Sequence, residues 1–140
     1  MLSASVFLDT NVLIYAATAM NDDPRKHVIA TDILASTPFV VSAQVMAEFV
    51  SVSRRTKAPQ LSEDAIEWWL SRMAVRSPLP IDADIVRRGR AISAEHGLNY
   101  YDGAILAAAE WLGCDTVLSE DMADGRSYGA VTVRNPFKEG

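Results

Sequence analysis

Apolar positions follow two rhythms along the chain. Short runs at Ser5-Val6-Phe7-Leu8, Phe39-Val40-Val41, Thr116-Val117-Leu118 and Val131-Thr132-Val133 read as strands. Between them, apolar residues recur three and four apart, the spacing of one helix face. The pattern predicts helices over 12–19, 24–35, 43–55, 63–73, 83–96 and 100–112. Punctuation supports these limits. Asn21-Asp22-Asp23 is turn chemistry, and Pro24 suits a first helical position. Ser42, Ser62, Asp82 and Asn99 each stand where an N-cap would accept the first free N–H groups. Gly97 and Gly113 close two helices, Pro59 breaks the chain, and Asn135-Pro136 ends the last strand. Short strands separated by helices imply an α/β fold whose mostly parallel sheet is covered on both faces. No repeat, low-complexity tract or linker is visible, so one domain over 1–140 is expected.

Composition narrows the chemistry. In 140 residues, 49% are hydrophobic and 22% charged, the balance of an ordinary globular core. Cys114 is the only cysteine, which excludes an internal disulfide and a cysteine-ligated zinc site, and its apolar setting reads as a buried thiol. The two histidines, His27 and His96, are too few for a multi-histidine metal site. Residues 1–6 carry no positive charge and no long apolar run, so no signal peptide is expected. No stretch reaches the roughly 18 apolar residues of a membrane span, and a cytoplasmic location is expected. The net charge of −5 argues against a protein that coats nucleic acid, but a metal-binding acidic site would itself add negative charge.

Four carboxylates stand where such a fold places chemistry. Asp9 ends the first strand, and Asp121 lies just past the third; in open α/β sheets, ligands bind beyond the carboxyl ends of strands. Glu48 falls on a helical stripe formed by Val45, Phe49 and Val52, with Gln44 one turn earlier to orient it. Asp102 stands one turn before Ile105, Leu106 and Ala109. Each has a plainer reading. Asp9 could cap a helix, Asp121 could be a solvated loop residue, and Glu48 could sit in a salt bridge or at a stripe edge. Asp102 could bond back to an Asn99 cap. Brought together, the acids repel. At about 4 Å and an effective dielectric of about 20, each pair costs roughly 4 kcal/mol, so a cluster calls for a cation or shared protons. Hard oxygen donors without histidine or cysteine select Mg²⁺ or Mn²⁺, an ion suited to phosphodiester hydrolysis.

At these residues the sequence resembles the PIN-domain family, especially the VapC-type toxins of type II toxin–antitoxin pairs. The matching motifs are F-L-D-T-N at 7–11, Q-V-M-A-E-F at 44–49, Y-Y-D-G-A-I at 100–105 and L-S-E-D-M at 118–122, with N-P-F at 135–137. The resemblance implies a three-layer α/β/α sandwich and a Mg²⁺- or Mn²⁺-dependent endoribonuclease. It implies metal-site carboxylates at Asp9, Glu48, Asp102 and Asp121, with Thr10, Asn11 and Ser119 as hydrogen-bonding support. Asp124 is a further acid that could replace or supplement Asp121. An RNA substrate, an antitoxin partner and a homodimer follow from the same resemblance.

Two other functions compete. A haloacid-dehalogenase-like phosphatase also uses an Asp after its first strand, but would need a second Asp where Asn11 stands. A catalytically silent PIN fold could serve only to bind RNA or protein, although clustered carboxylates have no use in such a scaffold. Arg54, Arg55 and Lys57, and Arg87, Arg88 and Arg90, read either as solvated helix faces or as RNA contacts. Trp68 and Trp69 read as core or interface, with at least one in the core.

Overall fold

A computed structural model describes residues 5–18, 23–55 and 61–138. The expected helix end at Ala19, the turn at Asn21-Asp22, Lys57 and the break at Pro59 lie outside these residues. The chain runs β1 (Val6–Leu8), α1 (Thr10–Thr18), α2 (Pro24–Ser36), β2 (Phe39–Val40), α3 (Ala43–Arg55), α4 (Glu63–Ala74), α5 (Ala83–His96), α6 (Tyr100–Trp111), β3 (Thr116–Leu118), β4 (Ser127–Tyr128) and β5 (Val131–Arg134). The sheet order is β2-β1-β3-β5-β4. Every neighbouring pair is parallel except β4–β5, which is antiparallel.

Local chemistry explains most boundaries. Asp23 accepts the Lys26 N–H with Pro24 at the start of α2, Ser62 accepts from Ala65, Asp82 from Ile85, and Asn99 from Asp102. Each cap satisfies one of the donors that a helix start leaves free. Gly97 closes α5 in the left-handed region, φ 66°, which a side chain would disfavour. Two details depart from the sequence pattern. Helix α1 begins at Thr10 rather than position 12, directly after the strand. The β4 strand, only two residues long, pairs with β5 and has no apolar alternation to announce it.

The parallel strands are buried on both faces, so their inner residues are apolar throughout: Phe7, Leu8, Val117 and Val133 are fully buried. Cys114 is buried beside them, and burial pushes its thiol up to about 11. Helix α6 is buried along Gly103–Ala109. It meets α5 through glycines. A Cβ on Gly103 would lie 2.4 Å from the Gly89 carbonyl oxygen, and one on Gly89 would lie 2.9 Å from the Ala104 Cα. That close approach fixes the start of α6, and so the position of Asp102. Trp69 packs against the core whereas Trp68 is exposed. No helix among the described residues is long and apolar enough to cross a membrane.

Candidate active site

The site is assembled at the carboxyl ends of two adjacent strands. β1 and β3 pair through Leu8 and Leu118, and the ladder continues as the Asp9 N–H donates to the Leu118 carbonyl at 3.0 Å. The next residue of each strand therefore lies side by side: Ser119 Oγ donates to Asp9 Oδ2 at 2.7 Å. The same hydroxyl oxygen accepts the Asp121 N–H at 3.1 Å. Asn11, in the first turn of α1, donates from Nδ2 to Asp121 at 3.0 Å and to Asp9 at 3.5 Å. Its Oδ1 accepts the Glu120 N–H at 3.3 Å. One amide thus ties the end of β1 to the loop after β3.

Helix α3 supplies the third acid. Its fully buried row is Val45, Phe49 and Ser53, spaced four apart, rather than the expected Val45, Phe49 and Val52. Glu48 lies on the adjoining row with Gln44 and Val52, at the edge of the buried face and half-buried. Its two oxygens accept from Thr10 Oγ1 and Gln44 Nε2, both at 3.1 Å. Helix α6 supplies the fourth. Asn99 and Asp102 bond reciprocally: the Asp102 N–H donates to Asn99 Oδ1 at 2.9 Å, and Asn99 Nδ2 donates to Asp102 Oδ2 at 3.0 Å. The cap reading of Asp102 is met through the Asn99 side chain, and it leaves the other carboxylate oxygen open to the cleft. Asp9 likewise accepts the Thr10 N–H at 2.7 Å while facing the other acids.

Asp9, Thr10, Asn11, Glu48 and Asp121 line one pocket with Ile14, Tyr15 and Val52. Asp102 lines an adjoining cleft that shares Glu48 and Val52 with it. The acids act on one another through space. Burial, and secondarily the charges of Asp121 and Glu48, push the Asp9 carboxyl up from 3.8 to about 6, against the lowering effect of the Ser119 and Thr10 hydrogen bonds. Burial and the Asp121 and Glu48 charges also raise Asp102 above its ordinary value, although Asn99 pulls the other way. Among the described residues, no Lys or Arg forms an ion pair with any of the four. No three acidic or histidine side chains there stand close enough, as placed, to grip one ion.

Asp124 is placed elsewhere. It accepts the Asn135 N–H at 2.8 Å and faces Lys138 at 3.4 Å, bonds that hold its carboxyl below the ordinary value. Tyr15 and Glu120 were not singled out in the sequence. Tyr15 lines the acid pocket, and its hydroxyl donates to Glu120 at 2.5 Å, while Lys26 pairs with Glu120. Position 15 on α1, four after Asn11 on the same helix face, is the signal that could have found it.

A mostly parallel sheet with acids beyond two central strands, met by acids from two flanking helices, defines an α/β protein with a carboxylate-lined cleft. The PIN domain model matches residues 6–123, and the chain belongs to that family. No curated protein sequence matches it. Among solved structures, it is similar to FitAB bound to an IR36 DNA fragment, with 24% identity, a TM-score of 0.67 and coverage of 96% of this chain and 97% of that one. It is similar to Mycobacterium tuberculosis VapC20, described as a sarcin-ricin loop cleaving toxin, with 19% identity, a TM-score of 0.65 and coverage of 84% and 92%. A toxin–antitoxin complex from Klebsiella pneumoniae gives 24% identity, a TM-score of 0.61 and coverage of 94% and 98%. At these identities the likeness is one of fold.

Proposed function

We propose that the protein is a metal-dependent endoribonuclease, the VapC-type toxin of a toxin–antitoxin pair, acting in the cytoplasm. One observation carries the reading. Asp9, Glu48 and Asp121 line one pocket, Asp102 stands in the cleft that adjoins it, their side-chain partners among the described residues are neutral, and burial raises the Asp9 carboxyl to about 6. Such a site reserves its charge for a cation. Membership of the PIN family and the fold shared with toxin structures support the rest.

The donor set fits Mg²⁺ or Mn²⁺: hard oxygens, a net negative charge, and no histidine or thiolate. Asp9, Glu48, Asp102 and Asp121 would hold the ion in part through its bound water, since no three of them stand close enough, as placed, to grip it directly. Bound there, it would supply a more acidic water and charge neutralisation at a phosphate. The chain's own residues set the geometry. Ser119 and the Thr10 N–H fix the Asp9 rotamer, Thr10 Oγ1 and Gln44 fix Glu48, and Asn11 fixes Asp121. An antitoxin would have to quench the same negative charge, and PIN toxins are expected to pair as homodimers. Purified protein should cleave RNA in Mg²⁺ or Mn²⁺ and stop in EDTA. Cleavage that continues in excess EDTA would sink the metal-dependent reading.

A further inference from the structure

We infer that the cleft beside the acids is a subsite for single-stranded RNA, in which a base next to the scissile phosphate stacks on Tyr101 and a further phosphate meets Arg55. This rests on the ribonuclease reading above. The cleft has a volume of about 720 Å³ and shares Glu48 and Val52 with the acid pocket. Its acidic end is Glu48 and Asp102, and its walls carry Gln44, Asn99, Tyr101 and Arg55. A strand held at the acids must leave them in some direction, and this cleft opens directly from them.

The chemistry of the walls matches a nucleotide. Tyr101 is 62% exposed and stands at the first turn of α6 immediately before Asp102. Tyr100 meets it edge-on at 5.3 Å, which steadies the ring and leaves a face free. An exposed aromatic face stacks on any base, which is how proteins hold single strands without reading sequence. Gln44 links the two helices, since its Nε2 donates to both Glu48 and the Tyr101 carbonyl, at 3.1 and 3.5 Å. The stacking residue is thereby held in register with the acids. Arg55 closes the far end. It is seven residues after Glu48 on α3, about 10 Å along the helix axis, and its Nε donates to the Ser51 carbonyl at 3.2 Å. A guanidinium at that reach suits the phosphate next along the strand, where the acids would otherwise repel the backbone.

The test uses the full-length protein. Binding of fluorescein-labelled single-stranded oligoadenylate and oligouridylate, each a dozen residues long, is followed by anisotropy in EDTA, where no cleavage occurs. Tyr101→Ala is expected to weaken binding about tenfold, and Tyr101→Phe, which keeps the ring, to restore it. Arg55→Ala is expected to weaken binding and flatten its salt dependence, since one phosphate contact is lost. In Mn²⁺, Tyr101→Ala should raise KM for the dodecamers with kcat nearly unchanged. Parent protein that binds and cuts RNA while Tyr101→Ala does so equally well would overturn the subsite alone. Unchanged RNA affinity together with a lost protein partner would reassign the face to protein docking and overturn it too. Parent protein that neither binds nor cuts any RNA would overturn the function and the subsite together.

Discussion

Replacing Asp9 by Asn should stabilise the metal-free protein while abolishing its activity. Asp9 is 6% exposed, and its carboxyl is pushed up from 3.8 to about 6, first by burial and then by Asp121 and Glu48. That rise corresponds to about 3 kcal/mol of unfavourable free energy for the ionised side chain in the folded chain at neutral pH. Asn removes the charge and keeps the shape, but not every hydrogen bond. Its oxygen can still accept the Thr10 N–H. Its amide would then face the Ser119 hydroxyl, which can turn to accept, and the Asn11 amide, which cannot. Setting about 1 kcal/mol against the gain for that mismatch leaves about 1–2 kcal/mol, or a melting temperature about 3–8 °C higher.

The pH dependence gives the sign. A carboxyl whose folded value is raised favours folding when protonated, and that contribution is lost as pH rises through its folded value. The advantage of Asp9→Asn should therefore be absent below about pH 4, grow between about pH 4 and 6, and be complete above that. Paired thermal melts of parent and variant in EDTA across this range read the effect directly. RNA cleavage in Mn²⁺ should meanwhile fall by orders of magnitude, because the ion loses a ligand. A variant that melts lower than the parent at pH 8 and still cleaves RNA at the parental rate would refute the reasoning and make Asp9 a structural cap.

Further substitutions test other parts of the account. Asp121→Asn should reduce cleavage by orders of magnitude, whereas Asp124→Asn, whose carboxyl holds Asn135 and Lys138, should cleave at the parental rate; the opposite pattern in a single-turnover assay would exchange their roles. Gly103→Ala must displace the Gly89 carbonyl, 2.4 Å away, and should destabilise the fold by about 1–3 kcal/mol in urea titration. No loss would mean that α5 and α6 can slide apart. Ser53 is fully buried with no partner for its hydroxyl among the described residues, so Ser53→Ala should stabilise by about 1 kcal/mol in the same assay, and a clear loss would mean that the hydroxyl is bonded after all.

Most of the fold is legible because this chain's helices announce themselves locally. Ser62, Asp82 and Asn99 are caps in the structure for the reason that they look like caps in the sequence: a short side-chain oxygen precedes a periodic apolar run; Asp23, which reads in the sequence as turn chemistry, is the cap of α2. The parallel strands are legible as short β-branched and apolar runs, with Thr116 and Thr132 their polar members. β4 is not, since two residues paired with β5 carry no period of their own. Within the site, the positions of Asp9 and Asp121 follow from strand ends, but their adjacency depends on β1 and β3 being neighbours, which is a matter of sheet order. Glu48 was expected on the buried stripe and lies on its edge, because Ser53 rather than Val52 completes the buried row. A small polar residue inside an apolar row hides the true axis of the helix face.

The loop after β3 shows why charge alone could not have identified the site. Glu120 and Asp121 are consecutive acids, and apart from the family motif the sequence offers no reason to prefer either. The fold separates them by giving each a different neighbour. Lys26 from α2 pairs with Glu120, and the Tyr15 hydroxyl donates to the same carboxylate. Lys26 also approaches the Tyr15 ring at 4.9 Å, and Tyr15 packs edge-on against Phe137 at 4.9 Å. Glu120 is thus neutralised within a packed cluster, with no charge left to offer a ligand. Among the described residues, the Asp121 carboxylate receives the Asn11 amide alone, a neutral donor that orients it without cancelling its charge. Glu63, Glu110 and Asp124 likewise face Arg54, Arg88 and Lys138; the four acids of the cleft face amides and hydroxyls, as does an isolated acid such as Glu67 with Ser71, so it is their grouping that sets them apart. An acid paired with a cation serves the fold. An acid held by neutral donors, beside others like it, keeps its charge for something that must arrive from outside.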